Sequence, residues 1–320
     1  SQFGAILVKL CVPDREGKLT DVVLGYDDLA GYEVNGCFFG ATIGRSGNRI
    51  ANSRFALDGQ EITLTPNEGK NNLHSGPNGF EKKIWNAAEI SEDKNAVTFS
   101  RISPDGENGF PGEFQVSVTY EMTENNELRI VYGGVCDKTT VANMTNHSYF
   151  NLAGEGSGKA MDQYLTIHAE SYTPVGEGSI PLGENAPVEG TPMDFRTPTP
   201  VGERIDRDFE QLRNGHGIDH NWVLNTRGDI AEACASLESP ATGIRLDVYT
   251  TEPGIQVYCG NFLDGSVKGK KGAVYGFRSA VCLETQKYPD TPNKPEWPSA
   301  VLRPGEKYES RCIYKFSVGE

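Results

Sequence analysis

Apolar residues fall on every second position over long stretches of this chain, and that period constrains its fold more than any other feature. Phe114, Val116, Val118 and Tyr120 alternate with polar residues, the chain breaks at Glu124-Asn125-Asn126-Glu127, and Leu128, Ile130 and Tyr132 resume the alternation. Successive side chains of a strand point to opposite faces, so the pattern predicts an antiparallel hairpin with one face in a core. Phe55-Ala56-Leu57 and Ile62-Thr63-Leu64 flank Asp58-Gly59, the dipeptide suited to a type I′ hairpin because both central residues take positive φ. Ala231, Ala233, Ala235 and Leu237 alternate with Glu232 and Ser236, and Leu246 and Val248, then Ile255 and Val257, continue after turns at Pro240 and Pro253-Gly254. Only residues 206–212 read as helical. The expectation is an all-β chain, a large antiparallel β-sandwich forming a single domain over residues 1–320.

With 37 Gly and 18 Pro in 320 residues, many turns must join those strands. The richest Pro and Gly stretch, residues 172–197, has strand patterns on both sides, which predicts a long ordered loop or a lid rather than a linker. A net charge of −14 argues against a nucleic-acid partner, which needs a positive face to displace its counterions, and disfavours an anionic membrane surface. No apolar run approaches the ~20 residues needed to cross a bilayer. Seven cysteines at 11, 37, 136, 234, 259, 282 and 312 form no CxxC pair, so they read as buried thiols of a reducing compartment, not as a disulfide framework or zinc ribbon. A cytoplasmic location is favoured, with the periplasm left open because the chain starts at Ser1 without an initiator Met.

Several motifs fail on inspection. Gly154-Glu155-Gly156-Ser157-Gly158-Lys159-Ala160 has Ala153 and Ala160 where a phosphate loop needs Gly and Ser or Thr. Gly40, Gly44 and Gly47 lack the spacing of a dinucleotide fingerprint. His216 and His220 would suit zinc on a helix, but Gly215 and Gly217 argue against one. Asn143 and Asn146 begin formal glycosylation sequons that read as chance.

What remains is a set of titratable groups among apolar and amide neighbours: His74 in Asn72-Leu73-His74-Ser75-Gly76, His147 in Thr145-Asn146-His147-Ser148-Tyr149-Phe150-Asn151-Leu152, Asp219 in Gly217-Ile218-Asp219-His220, and Glu284 in Leu283-Glu284-Thr285-Gln286. Taken singly, each reads as a satisfied histidine, a turn cap or a strand-end acid. Together with Gly44-Arg45-Ser46-Gly47-Asn48-Arg49-Ile50-Ala51, Pro289-Asp290, Thr251-Glu252-Pro253-Gly254-Ile255-Gln256 and Leu302-Arg303-Pro304-Gly305-Glu306, they resemble, in order, the motifs of the aldose 1-epimerase (galactose mutarotase) family. The family's pattern carries a further segment ahead of Phe3-Gly4-Ala5, so the first strand region is expected to be truncated.

The resemblance implies a β-sandwich of the galactose mutarotase type that interconverts the α and β anomers of a free hexose such as glucose or galactose. One group removes the proton of the C1 hydroxyl while another protonates the ring oxygen; the ring opens, turns about C1–C2 and recloses. Carried over by motif, Glu284 is the base, His147 the acid and His74 an assistant near the ring oxygen. Arg49 and Asp219 grip hydroxyls, with Asn72 and Gln286 in support. Tyr149, Phe110 and Trp297 are candidates for an apolar sugar platform. No cofactor and no metal is called for, the partner is the small hexose, and a monomer or weak homodimer is expected. Two other readings stay open, a hexose 6-phosphate 1-epimerase and a non-catalytic carbohydrate-binding module. The first needs a basic cluster, and only Arg45, Arg49, Arg54 and Lys70 lie near the motifs. A third, a glycoside hydrolase using Asp219 and Glu284 as its carboxylate pair, leaves both histidines without a role.

Overall fold

The structure, a computed structural model, describes residues 1–34 and 36–319. Two antiparallel sheets carry it. The larger has nine strands in the order Thr199–Pro200, Tyr164–Ile167, Ala235–Glu238, Ile244–Thr250, Tyr308–Val318, Glu127–Cys136, Phe114–Met122, Ala96–Ser103 and Asn86–Ser91. The smaller has six: Tyr149–Phe150, Val281–Gln286, Gly254–Tyr258, Asp219–Val223, Ser171–Thr173 and Ala186–Pro187. They face each other across one apolar core, in which Ile130, Leu246 and Val248 of the large sheet meet Trp222, Val257 and Leu283 of the small one. Tyr314 spans the gap: its ring packs on Phe150 at 4.9 Å and its hydroxyl donates to the Leu283 carbonyl at 2.7 Å. The all-β sandwich expected from alternation is present. Among the described residues no helix is long and apolar enough to cross a membrane.

Both predicted hairpins form. Leu57 pairs with Gln60 across Asp58 (φ 50°) and Gly59 (φ 79°), as a type I′ turn requires. Met122 pairs with Leu128, and Val118 with Tyr132. Two expectations need correction. The strand starts at Ala235, not Ala231, because the Asp229 carboxylate accepts from the Ala231 N–H and the Asp229 carbonyl from the Glu232 N–H, winding residues 229–232 into a turn. The helix expected over 206–212 is instead two short ones, Val201–Arg204 and Glu210–Asn214, since Phe209 is extended at φ −144°. A further short helix, Leu29–Glu33, is capped by Asp28, which accepts from the Gly31 N–H.

The stretch 172–197 is an ordered loop. Ser171–Thr173 and Ala186–Pro187 pair at its base, and Val188, Met193 and Phe195 sink into the main core. His220 is buried on a strand while His216 is exposed on the turn before it, so the two share no helix. Asn143 and Asn146 are buried and donate to the Lys287 and Gly40 carbonyls, which leaves no room for a glycan.

Strand register decides which side chains of the small sheet leave the core. Along Val281–Gln286, Val281 and Leu283 point into the sandwich, so by alternation Cys282, Glu284 and Gln286 point the other way. Gln256 stands directly opposite Glu284, Asn221 opposite Gln256, and Asp219 opposite Tyr258. The outer face of the small sheet is therefore polar, and short two-stranded pieces from the first half of the chain cover it.

Candidate active site

Each functional side chain reaches this covered face from a different local device. Arg49 lies on Arg49–Ile50, which pairs with Asn72–Leu73, so His74 emerges one residue beyond the register pair Arg49 and Leu73. His147 ends Thr145–His147, paired with Ala41–Ile43. The Arg49 strand is pinned by the Asp290 side chain, which accepts from the Ala51 N–H at 2.9 Å, while the Asp290 N–H donates to the Arg49 carbonyl. Arg45, four residues earlier in the same motif, has another job. It is fully buried and donates five hydrogen bonds, to the Ser103 hydroxyl and to Thr140, and to the carbonyls of Ser103, Pro104 and Pro111.

The result is a cleft of about 250 Å³ lined by Arg49, His74, His147, Tyr149, Asp219 and Glu284, with Phe38, Asn48, Glu68, Tyr258 and Phe262 completing the wall. That is the small end for ligand sites, with space for a single sugar ring. His147 Nε2 stands 3.7 Å from Glu284 Oε1. Glu284 Oε2 is buried without a hydrogen-bond partner among the described residues. Asp219 accepts from Gln256 Nε2 at 2.7 Å and lies 3.7 Å from Arg49 Nη1. Phe38 packs over both histidines, 4.8 Å from the His74 ring and 5.7 Å from that of His147.

Burial dominates the electrostatics. It pushes the Glu284 carboxyl well above its ordinary value, and Asp219 adds to the rise against the pull of Arg49. It pushes His147 down to about 4. A proton shared by the two groups therefore rests on Glu284 rather than on His147, and at 3.7 Å the two titrate as a pair. Burial also raises the Asp219 carboxyl, although Arg49 and Gln256 oppose it. For Arg49 burial works against the charge, and Asp219, Glu68 and Glu284 outweigh it.

His74, His147 and Glu284 bring possible ligand atoms within 4.8 Å of one another, which raises the question of a metal. The Asn48 N–H donates to His74 Nδ1 at 3.1 Å, so the neutral His74 ring carries its proton on Nε2 and offers a donor there, not a lone pair. Desolvation and the neighbouring His147 and Arg49 hold His74 well below its ordinary value, which keeps it neutral. The trio suits proton handling and hydroxyl recognition better than metal ligation.

A model of the aldose 1-epimerase family matches residues 1–315. The chain belongs to that family. It is similar to the galactose mutarotase of Rattus norvegicus, 48% identical over 316 residues that cover 99% of this chain and 90% of that one, and to the aldose 1-epimerase of Escherichia coli K12, 40% identical over 98% of this chain and 90% of that one. Among solved structures, an aldose epimerase homologue from C. elegans superposes with a TM-score of 0.92 at 33% identity, covering all of this chain and 94% of its own.

Five of the seven residues that the aldose 1-epimerase motifs single out, Arg49, His74, His147, Asp219 and Glu284, converge on one cleft. Asn72 and Gln286 do not line it. Asn72 donates to the Thr65 carbonyl at 2.7 Å, and Gln286 is fully buried beside the backbone of Gly47. Of the aromatic candidates only Tyr149 is in the cleft. Phe110 packs in a separate apolar cluster with Ile50 and Phe55, and Trp297 packs edge-on against Tyr288. Phe38, Asn48, Glu68 and Tyr258 in the wall, and Gln256 on Asp219, belong to the site although no motif role falls on them. Asn48 and Gln256 lie inside the family's motif segments, but Glu68 sits in Glu68-Gly69-Lys70-Asn71, which reads as an ordinary polar turn.

Proposed function

We propose that this aldose 1-epimerase family member interconverts the α and β anomers of a free hexose, glucose or galactose, without a cofactor. The observation that carries the reading is the buried Glu284 and His147 pair, 3.7 Å apart at the floor of a cleft sized for one sugar ring. In the bound state the C1 hydroxyl donating to Glu284 and the ring oxygen accepting from His147 favour the charged arrangement, so the pair's proton passes from the carboxyl to the imidazole. Glu284 then takes the C1 hydroxyl proton as His147 delivers its own to the ring oxygen. The open-chain aldehyde forms with the enzyme proton back on Glu284. Reclosure on the other face of the aldehyde reverses both transfers, so no proton is gained or lost over the cycle. His74 Nε2–H is available to a ring or hydroxyl oxygen, and Arg49 and Asp219 to the remaining hydroxyls.

The charges favour a neutral sugar over its phosphate. Among the described residues lining the cleft Arg49 is the one cation, and Glu68 and Asp219 already share it. Arg45 is spent inside the fold, and Arg54 pairs with Glu61 on an exposed hairpin. Polarimetry on freshly dissolved α-galactose and α-glucose should show anomer equilibration well above the spontaneous rate with no added cofactor. Glucose 6-phosphate should be the poorer substrate by kcat/KM. A preference for the phosphate that weakens with added salt would move the assignment to a sugar-phosphate epimerase.

A further inference from the structure

We infer that Glu68 is a positioning residue for sugar binding, holding the Arg49 guanidinium in the orientation in which it meets the substrate. The inference rests on the anomer-exchange reading of the cleft. A guanidinium has five N–H donors in a rigid fork. Glu68 takes one edge of it in bidentate fashion, Oε2 accepting from Nε at 2.7 Å and Oε1 from Nη2 at 2.8 Å, the strongest geometry available to this pair. Asp219 Oδ2, at 3.7 Å from Nη1, is too far for a hydrogen bond. Three N–H donors of Arg49 are thus left for a ligand, all on the side away from Glu68.

Without that anchor the nearest carboxylate is Asp219, 3.7 Å away in the cleft. An unanchored Arg49 swings onto the Asp219 carboxylate, filling space meant for the sugar and spending both hydroxyl-gripping groups on each other. Glu68 prevents this because it is itself held. The Asn71 N–H donates to the Glu68 carbonyl at 2.9 Å and the Glu68 N–H to that of Asn71 at 3.1 Å, closing the turn. Asn67 next to it exchanges two hydrogen bonds with the backbone of Leu73, and Leu73 is the register partner of Arg49. The carboxylate and the guanidinium are therefore referenced to the same two-stranded piece. The Glu68 side chain is 36% exposed and that of Arg49 8%, so solvent weakens the pair at one end while its bidentate geometry still lends the fold some stability, which a melting temperature reads separately from sugar binding.

The test compares wild type, Glu68→Gln and Glu68→Asp by polarimetric turnover of α-galactose, by calorimetric galactose binding and by melting temperature. Arg49 grips hydroxyls in the ground state and transition state alike, so the loss should appear in KM rather than kcat. Glu68→Gln should raise KM and the galactose Kd roughly tenfold or more, the order expected for a charged hydrogen bond, with kcat within about threefold and the melting temperature lowered by no more than about 4 °C. Glu68→Asp, which keeps the charge but shortens the reach, should fall between. An unchanged KM and Kd in Glu68→Gln overturns the inference, as does a fall in kcat that tracks a lower melting temperature at constant KM. A wild-type protein that binds galactose but does not exchange its anomers overturns the catalytic reading, and the Kd ratio still tests Glu68. A wild type that binds no hexose overturns both.

Discussion

The two sheets of the sandwich are built to opposite rules. In the nine-stranded sheet one face meets the core and the other meets solvent, and long strands such as Tyr308–Val318 and Phe114–Met122 alternate between buried and more exposed positions. In the six-stranded sheet all six positions of Val281–Gln286 and all five of Gly254–Tyr258 are buried, yet its outer face carries Asp219, Asn221, Gln256, Glu284 and Gln286. Buried side-chain atoms without a partner among the described residues gather there: Glu284 Oε2, Gln256 Oε1 and both amide ends of Asn221 and Gln286. Such groups cost free energy in a finished fold. A sheet that keeps them is organised around something it binds or transforms, while its neighbour supplies the rigidity that holds them in place.

The sharpest way to break that contrast is to mutate both sheets. Glu284→Gln and His147→Asn preserve shape but not proton transfer, and each should lower kcat by the ~10²- to 10⁴-fold typical of a general acid or base while leaving the protein folded. Leu246→Ala, at a fully buried position of the large sheet, should do the reverse, costing about 2–5 kcal/mol of stability with kcat per folded molecule unchanged. Near-normal turnover in either site variant would remove that residue from the proposed mechanism.

A second comparison comes from protonation. The Glu284 carboxyl is raised by burial, so its contribution to stability is fully present below the ordinary carboxylate value of 4.5 and is lost as pH rises toward its folded value. Glu284→Gln, which mimics the protonated form, should match wild type near pH 4 and melt at a progressively higher temperature than wild type as pH rises to 8. His147 is lowered and works in the other sense, its contribution being lost as pH falls from 6.5 through about 4, but Glu284→Gln retains it and the difference survives. A melting difference that is flat across pH, or grows toward acid, contradicts the raised carboxyl.

The smallest expected effect comes from Trp297→Phe. Because Trp297 packs on Tyr288 outside the cleft, KM and kcat for galactose should stay within about twofold of wild type, the usual outcome for a volume-reducing change away from the site. A KM rise comparable to that of Arg49→Lys, where an ammonium replaces the planar fork, would return this ring to the sugar platform.

The same contrast explains what could be read from sequence. The large sheet was legible because solvent on one face forces alternation, and both predicted hairpins stand in register. Val281–Gln286 and Asp219–Val223, buried on both faces, show no such period, and the site they carry was legible only through resemblance to a family's motifs. Ala231 misled because an Asp229 turn, a local hydrogen-bonding choice, overrides an alternating pattern. Glu68 carried no signal, since its partner is Arg49, nineteen positions away, and nothing in Glu68-Gly69-Lys70-Asn71 distinguishes it from a surface turn.

The strand Tyr308–Val318 lies in the middle of the large sheet, paired on one side with Glu127–Cys136 and on the other with Ile244–Thr250. Ile130 meets Cys312 there, so a central ladder joins segments far apart along the chain, and the loop between them must close before any of its hydrogen bonds form. A pairing of that separation costs more loop-closure entropy than the local hairpins, so it is expected to form after them. Left uncovered, the edges of Glu127–Cys136 and Ile244–Thr250 that it pairs with are open to other chains, which makes them the expected starting point of aggregation during refolding.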